Sequence, residues 1–292
     1  MPESSNQSNK PDEAEQAAER QSPSSRIVHE AILAEGLEEL ERPSLALAWS
    51  ALAGGLSMGF SLIAEAMLRS ALPDAPWRPL VAKLGYSVGF LIVILGRQQL
   101  FTENTLTPIL PLLERKVHVS IANVLRLWGI VLGANLVGCA AFAIVVTRTS
   151  AVDRSLHEAI VAIGREAMAS SFGTILLRGV FAGWLIALIV WLLPFAESAR
   201  VWVIVIITWV IGVARFSHVI AGSIEAFAYA SSGHTTWRHA ITGFFVPALL
   251  GNLVGGVALV ASLNHAQVVA GSEEASQARE ESRPPAGGAP AR

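Results

Sequence analysis

Between Val210 and Phe227 an apolar membrane-type run is cut in its middle by Arg215, Phe216, Ser217 and His218, then resumes as Val219-Ile220-Ala221-Gly222. Hydrocarbon offers no hydrogen-bond partner to a loose backbone amide or carbonyl. An interrupted span therefore persists only where protein packs round it or where it lines a water-filled path. The first half of the chain carries a second interruption of the same kind. Leu84 to Gly96 is apolar, Arg97-Gln98-Gln99-Leu100-Phe101-Thr102-Glu103-Asn104 is not, and Leu106 to Leu113 is apolar again. Two half-length spans at corresponding places in two halves point to a transport site near the bilayer midplane.

An unbroken spanning helix takes about 20 mostly apolar residues. Leu45 to Met67, Ile121 to Val146, Phe172 to Pro194 and Ile241 to Leu263 reach that length, and with the two broken spans they make six crossings. A chain that is 52% hydrophobic and only 15% charged has the composition such a protein needs. An even number of crossings puts both termini on one side, for which the cytoplasmic side of the inner (plasma) membrane is the expectation. The connecting segments argue the other way. Arg69, Arg78, Lys83, Arg148, Arg154, Arg165 and Arg238 would lie outside, against Arg42, Arg115, Lys116 and Arg200 inside.

Composition divides the chain further. Residues 1–25 are rich in Ser, Gln, Glu, Asn and Pro, lack the apolar core of a signal peptide, and are expected to be a disordered tail. In residues 26–42, Val28, Ile32, Leu33, Leu37 and Leu40 recur at helical spacing among glutamates, which predicts an amphipathic helix at the protein or membrane surface. Residues 43–265 are expected to form the transmembrane channel domain, and residues 266–292 a second polar tail, also disordered. A net charge of -2 with no basic stripe excludes a nucleic-acid partner. The single Cys139 permits no internal disulfide, the seven histidines are scattered, and no phosphate-cradling or dinucleotide motif appears, so neither metal nor cofactor is expected.

The halves also repeat. Asn135-Leu136-Val137-Gly138 in the third crossing returns as Asn252-Leu253-Val254-Gly255 in the sixth, Gly55 and Gly59 in the first match Gly179 and Gly183 in the fourth, and Phe101 and Phe216 stand at the two breaks. Taken singly, small-residue pairs serve helix packing; their correspondence suggests duplication. Three crossings per half is odd, so the second half enters the membrane in the opposite sense. The predicted fold is therefore an all-α membrane protein, six transmembrane helices in a 3+3 inverted repeat with broken second and fifth helices.

His218 is the strongest candidate for function, because ionisable side chains inside a membrane mark substrate or proton paths by default; the plainer role is a bond to a neighbouring helix. Its natural partner is Thr102 at the other break, whose hydroxyl can fix the imidazole tautomer. Leu100 and Phe101 either constrict a pore or cover the loop against its neighbours. Among the added charges, Arg97 or Arg215 is expected to pair with Glu103 or Glu225 and hold the broken helices; the alternative is an arginine that faces the pore.

Leu100-Phe101-Thr102-x-Asn104 after a glycine-bearing half-span, with Phe216-x-His218 in the fifth crossing, resembles the formate/nitrite transporter family over Pro43 to His265. The resemblance implies an aquaporin-like protomer in a homopentamer, with small monovalent weak-acid anions or their protonated forms as substrate. It makes His218 the central pore histidine, Thr102 the hydroxyl facing it, Leu100 and Phe101 one constriction, and Ile211 part of another. It implies an anion drawn into a cationic vestibule and protonated there, with His218 as proton relay or hydrogen-bond donor. The chain departs from the family pattern at Gln99 and Ser217 where glutamates are expected, and at Gly183 and Gly222 where asparagines are. Where a vestibule lysine is expected, it has Ala167, leaving Arg165 as the closest cation. The competing reading is an intramembrane serine protease using Ser223 or Ser87 with His218.

Overall fold

The computed structural model describes residues 24–114, 119–261, 263, 266, 267 and 270, so the two predicted tails lie almost wholly outside the described residues. Every regular element among the described residues is a helix. The predicted amphipathic segment is α1 (Ser25–Glu41), which buries His29, Ile32, Gly36 and Leu40 along one stripe. Pro43 then stands immediately before α2 (Ser44–Ala71), where a missing N–H costs nothing. The short α3 (Arg78–Ala82) leads into α4 (Ser87–Leu95), and after the first break a single turn at Glu103–Thr105 precedes α5 (Ile109–Leu113). Next come α6 (Ile121–Arg148), α7 (Arg154–Met168) and α8 (Phe172–Leu192), which start on side-chain caps from Ser120, Asp153 and Ser171. The second break separates α9 (Arg200–Val213) from α10 (Val219–Ser231). The last crossing begins at Trp237 and alternates π-helical turns at Ala240–Phe245 and Val254–Ala261 with α11 (Val246–Leu253).

Five helical stretches among the described residues are long and apolar enough to span: Ser44–Ala71, Arg78–Leu95, Ile121–Arg148, Phe172–Phe195 and Trp237–Ala258. The predicted fifth crossing is missing from that set because its break leaves halves of 14 and 13 residues. The long connector between the halves, read from sequence only as a linking segment, contains α7. Its Ala159, Ile160, Val161, Ile163 and Gly164 are buried, and it packs on α10 and α2.

The most extensive packing pairs α2 with α6 and α8 with α11. Both interfaces are made by glycines. A Cβ on Gly138 of α6 would stand 2.8 Å from the carbonyl oxygen of Leu52 and from the amide nitrogen of Leu56; one on Gly255 would stand 2.6 Å from the amide nitrogen of Trp184. Gly55 likewise brings α2 against Asn135, with 2.9 Å from an added Cβ to the Asn135 Cα, and Gly183 brings α8 against Asn252 at 2.6 Å. The correspondence is thus Gly55 with Gly183 and Ala51 with Gly179, one helical turn away from the match the sequence suggested; Gly59 lies instead against the ring of Phe142. Without a hydrophobic drive between helices in lipid, this close approach supplies the dispersion contact that holds them.

Replacing Gly138 with Val should therefore force α2 and α6 apart and destabilise the protein by roughly 1–3 kcal/mol. A lowered thermal unfolding midpoint of the purified protein in detergent checks this; an unchanged midpoint would show that the helices do not meet there.

Candidate functional site

The two breaks are built alike. At the end of α4, the Arg97 N–H donates to the Ile94 carbonyl at 3.2 Å and the Gln98 N–H reaches back to Val93 at 2.9 Å; at the end of α9, Arg215 donates to Gly212 at 3.1 Å and Phe216 reaches back to Ile211 at 2.9 Å. This six-to-one bond closes a helix through one residue in the left-handed region, normally glycine. Here that residue is Arg97 at φ 50° and Arg215 at φ 56°. An L side chain in that conformation costs roughly 1–2 kcal/mol.

Beyond each turn the chain has left the helix with its backbone groups free, and one asparagine collects them. Asn135 Oδ1 accepts from the Phe101 N–H at 3.0 Å, while its Nδ2 donates to the carbonyls of Gln99 at 3.0 Å and Ala51 at 2.6 Å. Asn252 Oδ1 accepts from the Val219 N–H at 2.9 Å, and its Nδ2 donates to Ser217 at 2.8 Å and Gly179 at 3.0 Å. The sequence showed both asparagines as a repeat but gave no hint of this task, because their partners lie 33 to 84 residues away.

These clamps aim the functional groups. His218 occupies the N-cap of α10, where its Nδ1 accepts the Ala221 N–H at 3.2 Å. The proton of the neutral ring is therefore on Nε2, which lies 2.8 Å from Thr102 Oγ1 and donates to it. Thr102 keeps its own hydroxyl hydrogen for another acceptor. The Phe90 ring stands edge-on to the imidazole at 4.9 Å, an apolar wall that no sequence signal distinguished from ordinary packing.

A cavity of about 50 Å³ reaches His218 and is lined by Ile211, Phe216, Ser217, Glu225, Lys83, Tyr86, Arg178, Arg215, Glu166 and Ala167, among others. Ile211 and Phe216 both line this cavity, and Phe216 stacks on Phe181 at 5.1 Å. Thr102, Leu100 and Phe101 are fully buried, do not line the cavity, and sit beyond the histidine; Phe101 packs edge-on to Trp128.

The charges are arranged differently from the expectation. Arg97 pairs with Glu35 of α1 at 3.4 Å, and Arg215 faces Glu166 at 3.9 Å, so neither joins Glu103 or Glu225. Glu103 has a buried Oε1 with no partner. Ala167 does reach the cavity, but Arg165 is exposed on α7 and does not line it. The cations that do are Lys83, Arg178 and Arg215, and Lys83, which sequence reasoning left among the loop charges, is paired with the buried Glu65 at 2.5 Å. Burial pushes the Glu166 carboxyl up, but the 2.6 Å hydrogen bond from Arg69 together with the charges of Arg69, Arg215 and Lys83 holds it below the usual carboxylate range.

The glycines that stand where asparagines were expected have packing reasons. A Cβ at Gly222 would meet Phe244 Cε1 at 2.6 Å, and Gly183 admits Asn252. The hydrolase candidates find no dyad. Ser223 Oγ is buried without a partner, Ser87 Oγ bonds to Thr208 and Val205, and both ring nitrogens of His218 are engaged elsewhere. Among the described residues no cluster of His, Cys, Asp or Glu can hold a metal ion.

The sequence profile described as Formate/nitrite transporter matches residues 26–266. The chain is 38% identical over 241 residues to Inner membrane protein YfdC of Escherichia coli (strain K12), covering 82% of this chain and 78% of that one. It is 25% identical over 242 residues to Formate channel BtFdhC of Bacillus thuringiensis, covering 80% and 91%. Among solved structures it resembles a pentameric formate channel with formate bound, at TM-score 0.65 and 21% identity, over 77% of this chain and 98% of that one.

Removing one clamp leaves an N–H and a carbonyl of the break buried without partners, each worth about 1–3 kcal/mol. Asn252→Ala is expected to lower the unfolding midpoint in detergent sharply and to cut the yield of assembled protein, and Asn135→Ala should do the same. Wild-type stability in both would show that water or another side chain serves these groups.

Proposed function

The chain belongs to the formate/nitrite transporter family, and from that premise we propose that it is a channel for small monovalent weak-acid anions of the formate or nitrite kind. We place it in the inner membrane with both termini cytoplasmic, as a homopentamer in which each protomer has its own pore. The relative YfdC is an inner membrane protein and the similar formate channel is pentameric, which supports the membrane and the assembly. The recurrence of the clamp at both breaks supports two halves related as an inverted repeat.

The observation that carries the reading is the 2.8 Å contact between Thr102 and His218, the histidine lining a cavity that Lys83, Arg178 and Arg215 also line. An anion entering that cavity loses water as it approaches Ile211, Phe216 and the buried Leu100 and Phe101. Low dielectric penalises the charged form, so the anion takes a proton there and crosses as the neutral acid. The cap bond supports one of the two roles for His218 over the other. Donating a proton outright requires the doubly protonated ring, whose Nδ1–H would point at the Ala221 N–H. His218 is therefore a fixed donor that holds Thr102 Oγ1 as acceptor and turns the threonine hydrogen toward the passing acid; the proton itself comes from vestibule water.

Uptake of formate and nitrite by purified protein in liposomes, followed by stopped flow at two pH values, tests this. His218→Phe and Thr102→Val should each slow uptake at least about tenfold, the worth of one hydrogen bond of about 1.4 kcal/mol, while the oligomer stays intact. Wild-type liposomes that admit neither acid, or a His218→Phe protein with unchanged flux, would end the proposal.

A further inference from the structure

We propose that Arg215 and Arg97 are the anion-capture residues of this channel, one on each side of the constriction, each presenting a guanidinium fork that selects planar oxyanions. The inference rests on the channel reading above and names the groups that give it substrate selectivity.

Three observations meet here. First, both arginines occupy the single left-handed residue of their break, at φ 50° and 56°, where glycine fits without strain. An identical strain kept at both equivalent positions points to the side chain. Second, the neighbouring cations have closer partners. Of the other two cavity cations, Lys83 is closed on Glu65 at 2.5 Å and the part-buried Arg178 donates to Ser170 Oγ at 2.8 Å; nearby, Arg69 is closed on Glu166 at 2.6 Å and Arg78 on Asp74 at 2.9 Å. Arg215, by contrast, has among the described residues only the outer oxygen of Glu166 at 3.9 Å with 60% of its side chain exposed, and Arg97 only Glu35 at 3.4 Å with 84% exposed. Third, the two stand at different depths. The first break is tied to α2 at Ser50 by the Gln99 N–H, whereas Arg215 shares Glu166 with Arg69 near the other end of α2. Residues 50 and 69 are roughly 28 Å apart along a helix axis.

Arg215 lines the cavity that reaches His218. A guanidinium there is always charged and offers two parallel N–H groups that match a carboxylate or nitrite edge, which an ammonium does not. The occupant is thus a small planar oxyanion, captured at one mouth by Arg215 and at the other by Arg97.

Glycine is the diagnostic replacement, because it removes the fork and relieves the backbone. Arg215→Gly should match or exceed the wild-type unfolding midpoint, yet raise the half-saturating formate concentration for uptake at least tenfold from one face of oriented proteoliposomes. Arg97→Gly should do so from the opposite face, and Arg215→Lys should recover only part of the loss. In detergent, formate and nitrite should raise the wild-type midpoint and fail to raise that of Arg215→Gly. A stable Arg215→Gly protein with unchanged half-saturation and unchanged anion stabilisation overturns the inference and leaves the channel reading standing. A drop in its midpoint also overturns it, making Arg215 a structural brace on Glu166. If wild type transports neither anion but is stabilised by them through Arg215, the channel reading fails, and with it the capture role, leaving an anion site at Arg215 alone.

Discussion

The structure depends on two carboxamides. A helix broken inside a membrane exposes amide and carbonyl groups to a medium that cannot solvate them, and at each break one asparagine accepts one N–H and donates to two carbonyls. The choice of residue follows from chemistry. Aspartate has no donors to give, leucine has neither kind of group, and glutamine is one methylene too long for a site pressed between glycine-faced helices. Each amide also bonds a carbonyl of the helix packed beside it, Ala51 or Gly179, so satisfying the break and joining the crossings are one act.

From that rigidity comes the site. His218 can serve as the N-cap of α10 only because Asn252 fixes the backbone on either side of it, through Ser217 and Val219. The cap sets the tautomer, the tautomer makes Nε2 a donor, and the first break, held by Asn135 through Gln99 and Phe101, delivers Thr102 to receive it. The contact between the two halves is thus the end of a chain of bonds in which every link has a fixed direction.

Much of this was legible in the chain. The polar clusters at 97–104 and 215–218 announced the breaks, and the match between Asn135-Leu136-Val137-Gly138 and its copy announced the duplication. The pairing of Thr102 with His218 followed from their corresponding places. What the sequence hid had one common cause: the partner was distant and the residue type ordinary. Lys83 reads as a loop charge until α3 is folded against Glu65, and Phe90 reads as one apolar residue among many. The charge pairs failed for a related reason. Arg97 and Arg215 are close in sequence to Glu103 and Glu225, but the left-handed turn aims each arginine away from the helix that follows it, toward Glu35 and Glu166.

The charge distribution raises a problem that the geometry answers. A passage that carries a neutral acid needs no cation at its centre, and a cation held there would bind the anion and stop it. Yet an uncharged mouth would not concentrate an anion from dilute solution, because attraction across water is weak and screened beyond about 10 Å. The structure separates the two demands. Lys83 is largely buried but is matched by Glu65, so it leaves little net field at the histidine. The poorly matched guanidinium of Arg215 stays where solvent still reaches it. Toward His218 the cavity is lined by Ile211 beside the polar groups of Ser217 and Glu225, and Phe90 stands edge-on to the imidazole whose Nε2 meets Thr102.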